Sequence, residues 1–319
     1  MARTRYATDR GLIARMGATM FLLGLVFTAF IVVLVLLLER FSTISGGGII
    51  FIAVLFGVAM TFGSYFWSDK IALSAARAHE VSPQQAPELH GVIDRLCALA
   101  DMPKPRVAIA DADMPNAFAT GRNSSHAVVC VTTGLLRRLD RNELEGVLAH
   151  EMSHVAHRDV AVMTIASFLG IVAGLLVRFA FYSELFGGGR RGNDQNGYGA
   201  IVMLGILAVS IVVYAISFLL IRLLSRYREL SADRSGALLT GRPSSLAAAL
   251  TKVTGDIGRI PTKDLRTAQP MNAFFFAPAM HLHGTGGGGL AGLFSTHPSL
   301  ERRLAELDKI QQQLGRTAG

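Results

Sequence analysis

From Gly17 to Leu38 the chain runs for 22 residues without a charged side chain, and no other feature constrains its fold as tightly. About 20 helical residues cross a hydrocarbon core, so this run reads as a transmembrane helix. Four arginines precede it (Arg3, Arg5, Arg10 and Arg15), as in a secretory signal. The apolar stretch is longer than a signal's core, however, and no small-residue cleavage site follows, so an uncleaved anchor is expected.

Three further runs fit the same reading. Ile49 to Trp67 returns across the membrane after the turn around Glu39, Arg40 and Gly46 to Gly48, with Tyr65, Phe66 and Trp67 as an interfacial belt. Val160 to Val177 and Ala200 to Ile221 form a second hairpin around the polar, glycine-rich loop Gly187 to Gly199. The third run, 18 residues long, is marginal; a buried core helix is its alternative, and spanning is the expectation. Composition agrees, since 51% of residues are hydrophobic and only 17% charged, poorer in charge than soluble domains. The basic N-terminal tail, the neutral Glu39 to Gly48 loop, and Arg222, Arg226 and Arg228 after the fourth run place the large polar segments in the cytoplasm. A net charge of +8 is spread thinly, without a basic run interleaved with aromatics, so nucleic acid is set aside in favour of an anionic lipid face. Cys97 and Cys130 form neither a disulfide framework nor a CxxC site and are expected as buried, reduced thiols.

The remaining segments carry the periodicities of an α+β domain. Residues 84–100 place Leu89, Val92, Ile93, Leu96, Leu99 and Ala100 at helical spacing, ended by Asp101 and Pro103. Short β-forming runs follow at Arg106 to Ala110, Asn116 to Thr120 and Ala127 to Thr133. The turn-rich links between them predict a small antiparallel sheet.

Asp140-Arg141-Asn142-Glu143 has the form of a capping box, with Asp140 as N-cap and Glu143 reaching back. The helix it opens carries His150-Glu151-Met152-Ser153-His154. Residues four apart lie about 40° apart around a helix, so both imidazoles share a face, with Glu151 beside them. That spacing lets His150 and His154 hold one zinc ion and puts Glu151 next to an open coordination position, as general base for a water. Chance alone produces HExxH on the order of once per hundred chains of this composition. His157 is a less suitable ligand: on a straight helix it rises about 10 Å from His150, and no glycine follows to turn the chain back. It is read as structural.

In order along the chain come paired N-terminal spans, Asn116-Ala117-Phe118-Ala119, the HExxH helix followed by Arg158-Asp159, a second apolar hairpin, Arg228-Glu229-Leu230-Ser231-Ala232-Asp233, and Ser295-Thr296-His297-Pro298. This order resembles the HtpX-type membrane zinc metalloproteases, relatives of the CAAX prenyl endopeptidases. The resemblance covers most of the chain and implies a zincin-like (gluzincin) domain combined with about four transmembrane helices. It implies Glu229 as third zinc ligand with Asp233 as a partner behind the ligands, and one Zn2+ per chain. It implies Asn116 to Ala119 as the sheet edge that receives substrate as an added strand. His297 is a candidate for stabilising the oxyanion, with helix capping before Pro298 as the alternative. His281, His283 and Gly286 to Gly289 are a candidate lid, or slack.

Four parts follow: residues 1–68, a transmembrane hairpin; 69–158, the first part of the catalytic domain; 159–222, the second hairpin; and 223–319, its second part with the third ligand and a C-terminal helix. The expected function is a multi-pass endopeptidase of a bacterial inner membrane, catalytic domain in the cytoplasm, acting in quality control of damaged or misfolded membrane proteins. A prenyl-protein endopeptidase is the near alternative, and a silent scaffold or chaperone with a structural zinc is a more distant one. An intramembrane site is disfavoured because Asp140, Arg141, Glu143, Glu145, His157, Arg158 and Asp159 crowd the helix.

Overall fold

The computed structural model describes residues 10–41, 65–160, 198–257 and 297–317, with isolated positions between 55 and 63 and between 162 and 174. The candidate lid residues His281, His283 and Gly286 to Gly289 fall outside the described residues, as do most of the Ile49 to Trp67 and Val160 to Val177 runs. The chain divides into two compact units, one of residues 16–64 and 162–224, the other of 1–15, 65–161 and 225–319.

The first unit is helical and apolar where described. Helix α1 (Arg10–Phe41) contains the first run whole, and among the described residues two helices contain stretches long and apolar enough to cross a membrane, Ile13–Phe30 and Leu207–Thr240. Leu23 and Phe30 pack with Val213 and Leu224, while Phe21, Leu22 and Leu25 on one helix and Ile211, Val212 and Ile216 on the other stay exposed. Apolar side chains turned outward in this number suit lipid as the surrounding medium. The second of these helices, α6 (Tyr198–Thr240), runs unbroken for 43 residues, its last part from Ser225 onward belonging to the other unit.

The other unit is a layered α+β domain. Helix α2 (Ser68–Ala76) leads into strand β1 (Ala78–Glu80), helix α3 (Pro87–Ala100) and strand β2 (Arg106–Ala110). Strand β3 (Ala117–Thr120), strand β4 (Val128–Thr132), helices α4 (Thr133–Arg138) and α5 (Arg141–Ala156), and later α7 (Pro243–Ile257) and α8 (Leu300–Thr317), complete it. Helix α3 begins behind Pro87, whose fixed φ suits the first helical turn, and it buries Leu89, Val92, Ile93, Leu96 and Cys97, leaving Leu99 exposed.

The sheet order is β1-β2-β4-β3, and it corrects the expectation of an antiparallel sheet. β3 and β4 do form an antiparallel pair, but β2 lies parallel to β4 and antiparallel to β1. The short link after β2 does not turn back along it; it carries the chain past the β4 position to the far edge, and β4 then returns between the two. A parallel neighbour requires a crossover of a dozen or more residues, and here β3 with its flanking loops supplies it. β4 is buried along its whole length, as befits a central strand, while β3 is an edge strand of the sheet. β1, the other edge strand, is a three-residue piece with a weak pattern that the sequence reading passes over.

Helix α5 is buried from Glu143 to Val155 on all sides. Its capping box forms as expected: Asp140 Oδ1 accepts from the amides of Asn142 and Glu143 at 2.8 and 2.9 Å, and Glu143 Oε2 accepts from the Asp140 amide at 3.0 Å. Val147, Leu148 and Met152 join the core with β4 residues Val129 and Val131 and with Leu246, Leu250 and Val253 of α7. Two glycines let neighbouring helices approach its backbone. A Cβ at Gly146 would meet the Leu246 amide at 3.1 Å, and one at Gly236 would meet the His150 amide at 2.8 Å. The second contact is between backbones, so nothing flexible can yield.

Gly236→Val should therefore push α6 off α5, lowering stability by about 1 to 3 kcal/mol, the usual range for overpacking. The check is the thermal midpoint of detergent-purified protein; a midpoint equal to that of the unaltered protein would mean the helices do not approach this closely.

Candidate metal centre

α5 presents His150 and His154 one turn apart, with their Nε2 atoms 3.3 Å from each other and their rings edge to face at 4.9 Å. α6 brings Glu229 to the same point: Oε2 lies 3.5 Å from His150 Nε2, and Oε1 lies 3.5 Å from His154 Nε2. One ligand atom from each of the three falls within 4.8 Å of the others, and all three residues are buried. Two imidazoles and a carboxylate converging in this way fit a divalent cation with affinity for nitrogen and oxygen. The third ligand implied by resemblance thus lies with the two histidines read from spacing.

Each imidazole is held from behind. Asp233, one turn after Glu229 on α6, has Oδ1 2.9 Å from His150 Nδ1. Asp159, just past the end of α5, has Oδ2 2.5 Å from His154 Nδ1. Carboxylates in these positions fix the proton on Nδ1 and leave Nε2 free to bind a metal. Arg158, at φ 56, takes the left-handed conformation in the turn between His157 and Asp159, and His157 ends α5 with its amide donating to Ser153 O at 2.9 Å. His157 is not among the three grouped ligands, and burial lowers its pKa.

Behind the carboxylates stand arginines. Arg303 of α8 donates from Nε and Nη2 to the two oxygens of Asp233 at 2.8 and 2.7 Å, and Arg228 Nε lies 3.0 Å from Asp159 Oδ2. Burial raises the pKa of Asp233, but Arg303 and then His150 together offset it and keep the carboxyl below its ordinary value. Asp159 is likewise lowered against its burial by Arg228 and then by His154.

Glu151 is buried beside the ligands, and its Oε2 accepts from the Ala119 amide at 3.1 Å. That amide belongs to β3, so the edge strand of the sheet faces the carboxylate. Burial raises the pKa of Glu151, the two histidines opposing, a direction that suits a carboxylate required to hold a proton near neutral pH. Glu229 is affected oppositely: burial pushes it up, but His297 and then His150 hold it well below the usual carboxylate range. His297, buried ahead of α8, has Nδ1 3.2 Å from Glu229 Oε2. The cysteines lie elsewhere, buried and free; burial pushes Cys97 to about 11 and Cys130 to about 12, which makes neither a nucleophile.

The residues that sequence reasoning singled out, His150, Glu151, His154, Glu229 and Asp233, lie together here, with the candidate His297 against Glu229. That reasoning gave Asp159, Arg228 and Arg303 no part in the site. One signal did exist for Arg303: it stands in register with Leu307 and Ile310 on the buried stripe of α8, where a charge is out of place.

A mixed α+β domain with a buried His-His-Glu group beside a carboxylate and an edge strand defines a metallopeptidase, and comparison with known proteins agrees. Residues 83–311 match peptidase family M48. "Protease HtpX homolog 1" of Streptomyces coelicolor is 60% identical over 98% of this chain and 97% of its own length. "Protease HtpX homolog" of Moorella thermoacetica is 50% identical over 98% of each. In fold, the crystal structure of S. mikatae Ste24p superposes with a TM-score of 0.51 at 18% identity, covering 96% of this chain and 68% of that one. The chain belongs to peptidase family M48 and, within it, to the HtpX-type membrane metalloproteases.

Without a metal, His150 titrates unusually. Burial disfavours its charge, but Asp233 and then Glu229 outweigh burial and raise its pKa from 6.5 to about 9. A folded-state pKa above the unfolded one contributes stability that is fully present below about 6.5 and lost as pH rises to about 9. The metal-stripped protein should therefore lose thermal stability across that window. Metal affinity should rise by up to about tenfold per pH unit over it, because each bound ion displaces this proton. Unfolding scans and metal competition at several pH values check both; a flat affinity between pH 7 and 9 would contradict the assignment.

Proposed function

We propose that the chain is a zinc-dependent endopeptidase of the membrane, with His150, His154 and Glu229 as ligands and Glu151 as the proton-transferring base. The observation that supports this best is the convergence of the three ligand atoms within 4.8 Å, with Glu151 alongside them and bonded to the strand edge. His150, His154 and Glu229 would hold the zinc, which would supply Lewis acidity when bound.

The residues of the chain do the rest. The outer edge of β3, from Asn116 to Ala119, pairs with an extended substrate segment, and main-chain hydrogen bonds hold the scissile peptide in register. Glu151, with its raised pKa, accepts a proton from the attacking water and passes it to the departing amine. His297, placed against Glu229, stabilises the negative charge that develops on the carbonyl oxygen; its position at the site favours this over simple capping of α8. No covalent link between enzyme and substrate is formed.

Residues 1–68 and 159–222 act as two membrane hairpins, giving four spans, with 69–158 and 223–319 forming the cytoplasmic catalytic domain of a bacterial inner-membrane protein. The outward-facing apolar side chains of α1 and α6 support the first and fourth spans. Damaged or misfolded membrane proteins are the proposed substrates, a reading that rests on the sequence resemblance. A prenyl-protein endopeptidase is less well supported, because the Ste24p likeness at 18% identity speaks to fold alone.

Glu151→Gln is expected to keep stoichiometric zinc while losing about 10²- to 10⁴-fold in hydrolysis of an unfolded membrane substrate, the range for removing a general acid–base. Chelation should abolish activity and zinc restore it. Undiminished cleavage by Glu151→Gln would remove the base assignment.

A further inference from the structure

The guanidinium of Arg303 is 1% exposed, at a position of α8 where the neighbouring stripe residues Leu307 and Ile310 are core leucine and isoleucine. Stability alone does not call for a charge there, since replacing a buried ion pair with well-packed apolar groups is often neutral or favourable. Its fork grips both oxygens of Asp233, and Asp233 in turn meets His150 Nδ1. The same series recurs on the other imidazole, where Arg228 lies against Asp159 and Asp159 against His154 Nδ1. Two unrelated segments, α8 and α6, thus each place an arginine behind the carboxylate of one imidazole. A planar fork bonded to both carboxylate oxygens fixes orientation as well as charge, which a lysine does not do.

We propose that Arg303 is a positioning residue of the metal centre: it clamps Asp233 so that this carboxylate holds the Nδ1 proton of His150 and turns the opposite ring nitrogen toward the cation. The inference rests on the reading of His150, His154 and Glu229 as the ligands. It makes α8, about 150 residues from His150 along the chain, part of the zinc site although no residue of α8 binds the ion.

The test uses full-length protein in detergent, stripped of metal and titrated with zinc against a competing chelator. Arg303→Met and Arg303→Lys are compared with Leu307→Ala, which hollows the same helix without touching Asp233. Arg303→Met should weaken zinc binding by about tenfold or more, as loss of an outer partner does. Arg303→Lys should recover part of that loss, and Leu307→Ala should lower the thermal midpoint yet bind zinc normally. Native zinc affinity in Arg303→Met overturns the proposal, and so does equal weakening in Leu307→Ala, which would make the effect one of fold stability. If Arg303→Met does not fold, Arg303→Lys decides: several-fold weaker binding supports the clamp and native affinity overturns it. Absence of stoichiometric zinc in the unaltered protein would instead remove the ligand assignment itself, and the clamp with it.

Discussion

His150, His154 and Glu229 meet where water is excluded, and an isolated charge in such a place is costly enough that a group neutralises rather than keeps it. The site resolves this by alternating sign outward from its centre. The ligand imidazoles face Asp233 and Asp159, and those carboxylates face Arg303 and Arg228. Because each layer lies against opposite charge in the next, the centre can stay buried and still bring three side-chain atoms to one point. Remove any one layer and a charge is left behind without its partner, a far larger penalty than the pair itself is worth.

This arrangement explains why helix α5 is buried on every face rather than amphipathic. Its ligands need carboxylates from beyond its own end and from α6, while Glu151 needs the edge of β3, so neighbours must pack around the whole circumference. Gly236 allows α6 to come against the His150 backbone closely enough for Glu229 and Asp233 to reach. The capping box at Asp140 fixes where α5 begins, and hence which way the histidines point.

What the sequence discloses follows from the range of the interaction involved. The capping box, the shared face of His150 and His154, and the apolar run of α1 are local consequences of helical period, and each could be read from a few adjacent residues. The order of strands is not local: β2 and β4 share a buried, β-branched pattern, and nothing in either says whether its neighbour runs parallel or antiparallel, so the short link before β3 misled. Glu229 stands 75 residues beyond His154, surrounded by arginines that make it look like a surface ion-pair residue, and only the resemblance to a known family picked it out. Arg228, one of those arginines, proves to be committed to Asp159. Asp159 itself read simply as charge that keeps the helix out of lipid.

The site draws on β3, α5 and the turn after it, the last part of α6, and α8, four segments dispersed over most of the catalytic unit. Two histidines a turn apart exist in any partly folded chain that has formed α5, but the third ligand, the carboxylates and the arginine behind Asp233 arrive only when α6 and α8 have docked. Assembling the centre from parts so distant in sequence makes peptide hydrolysis conditional on completed packing, since an incomplete shell leaves the imidazoles unheld and Glu151 without the strand edge that orients it.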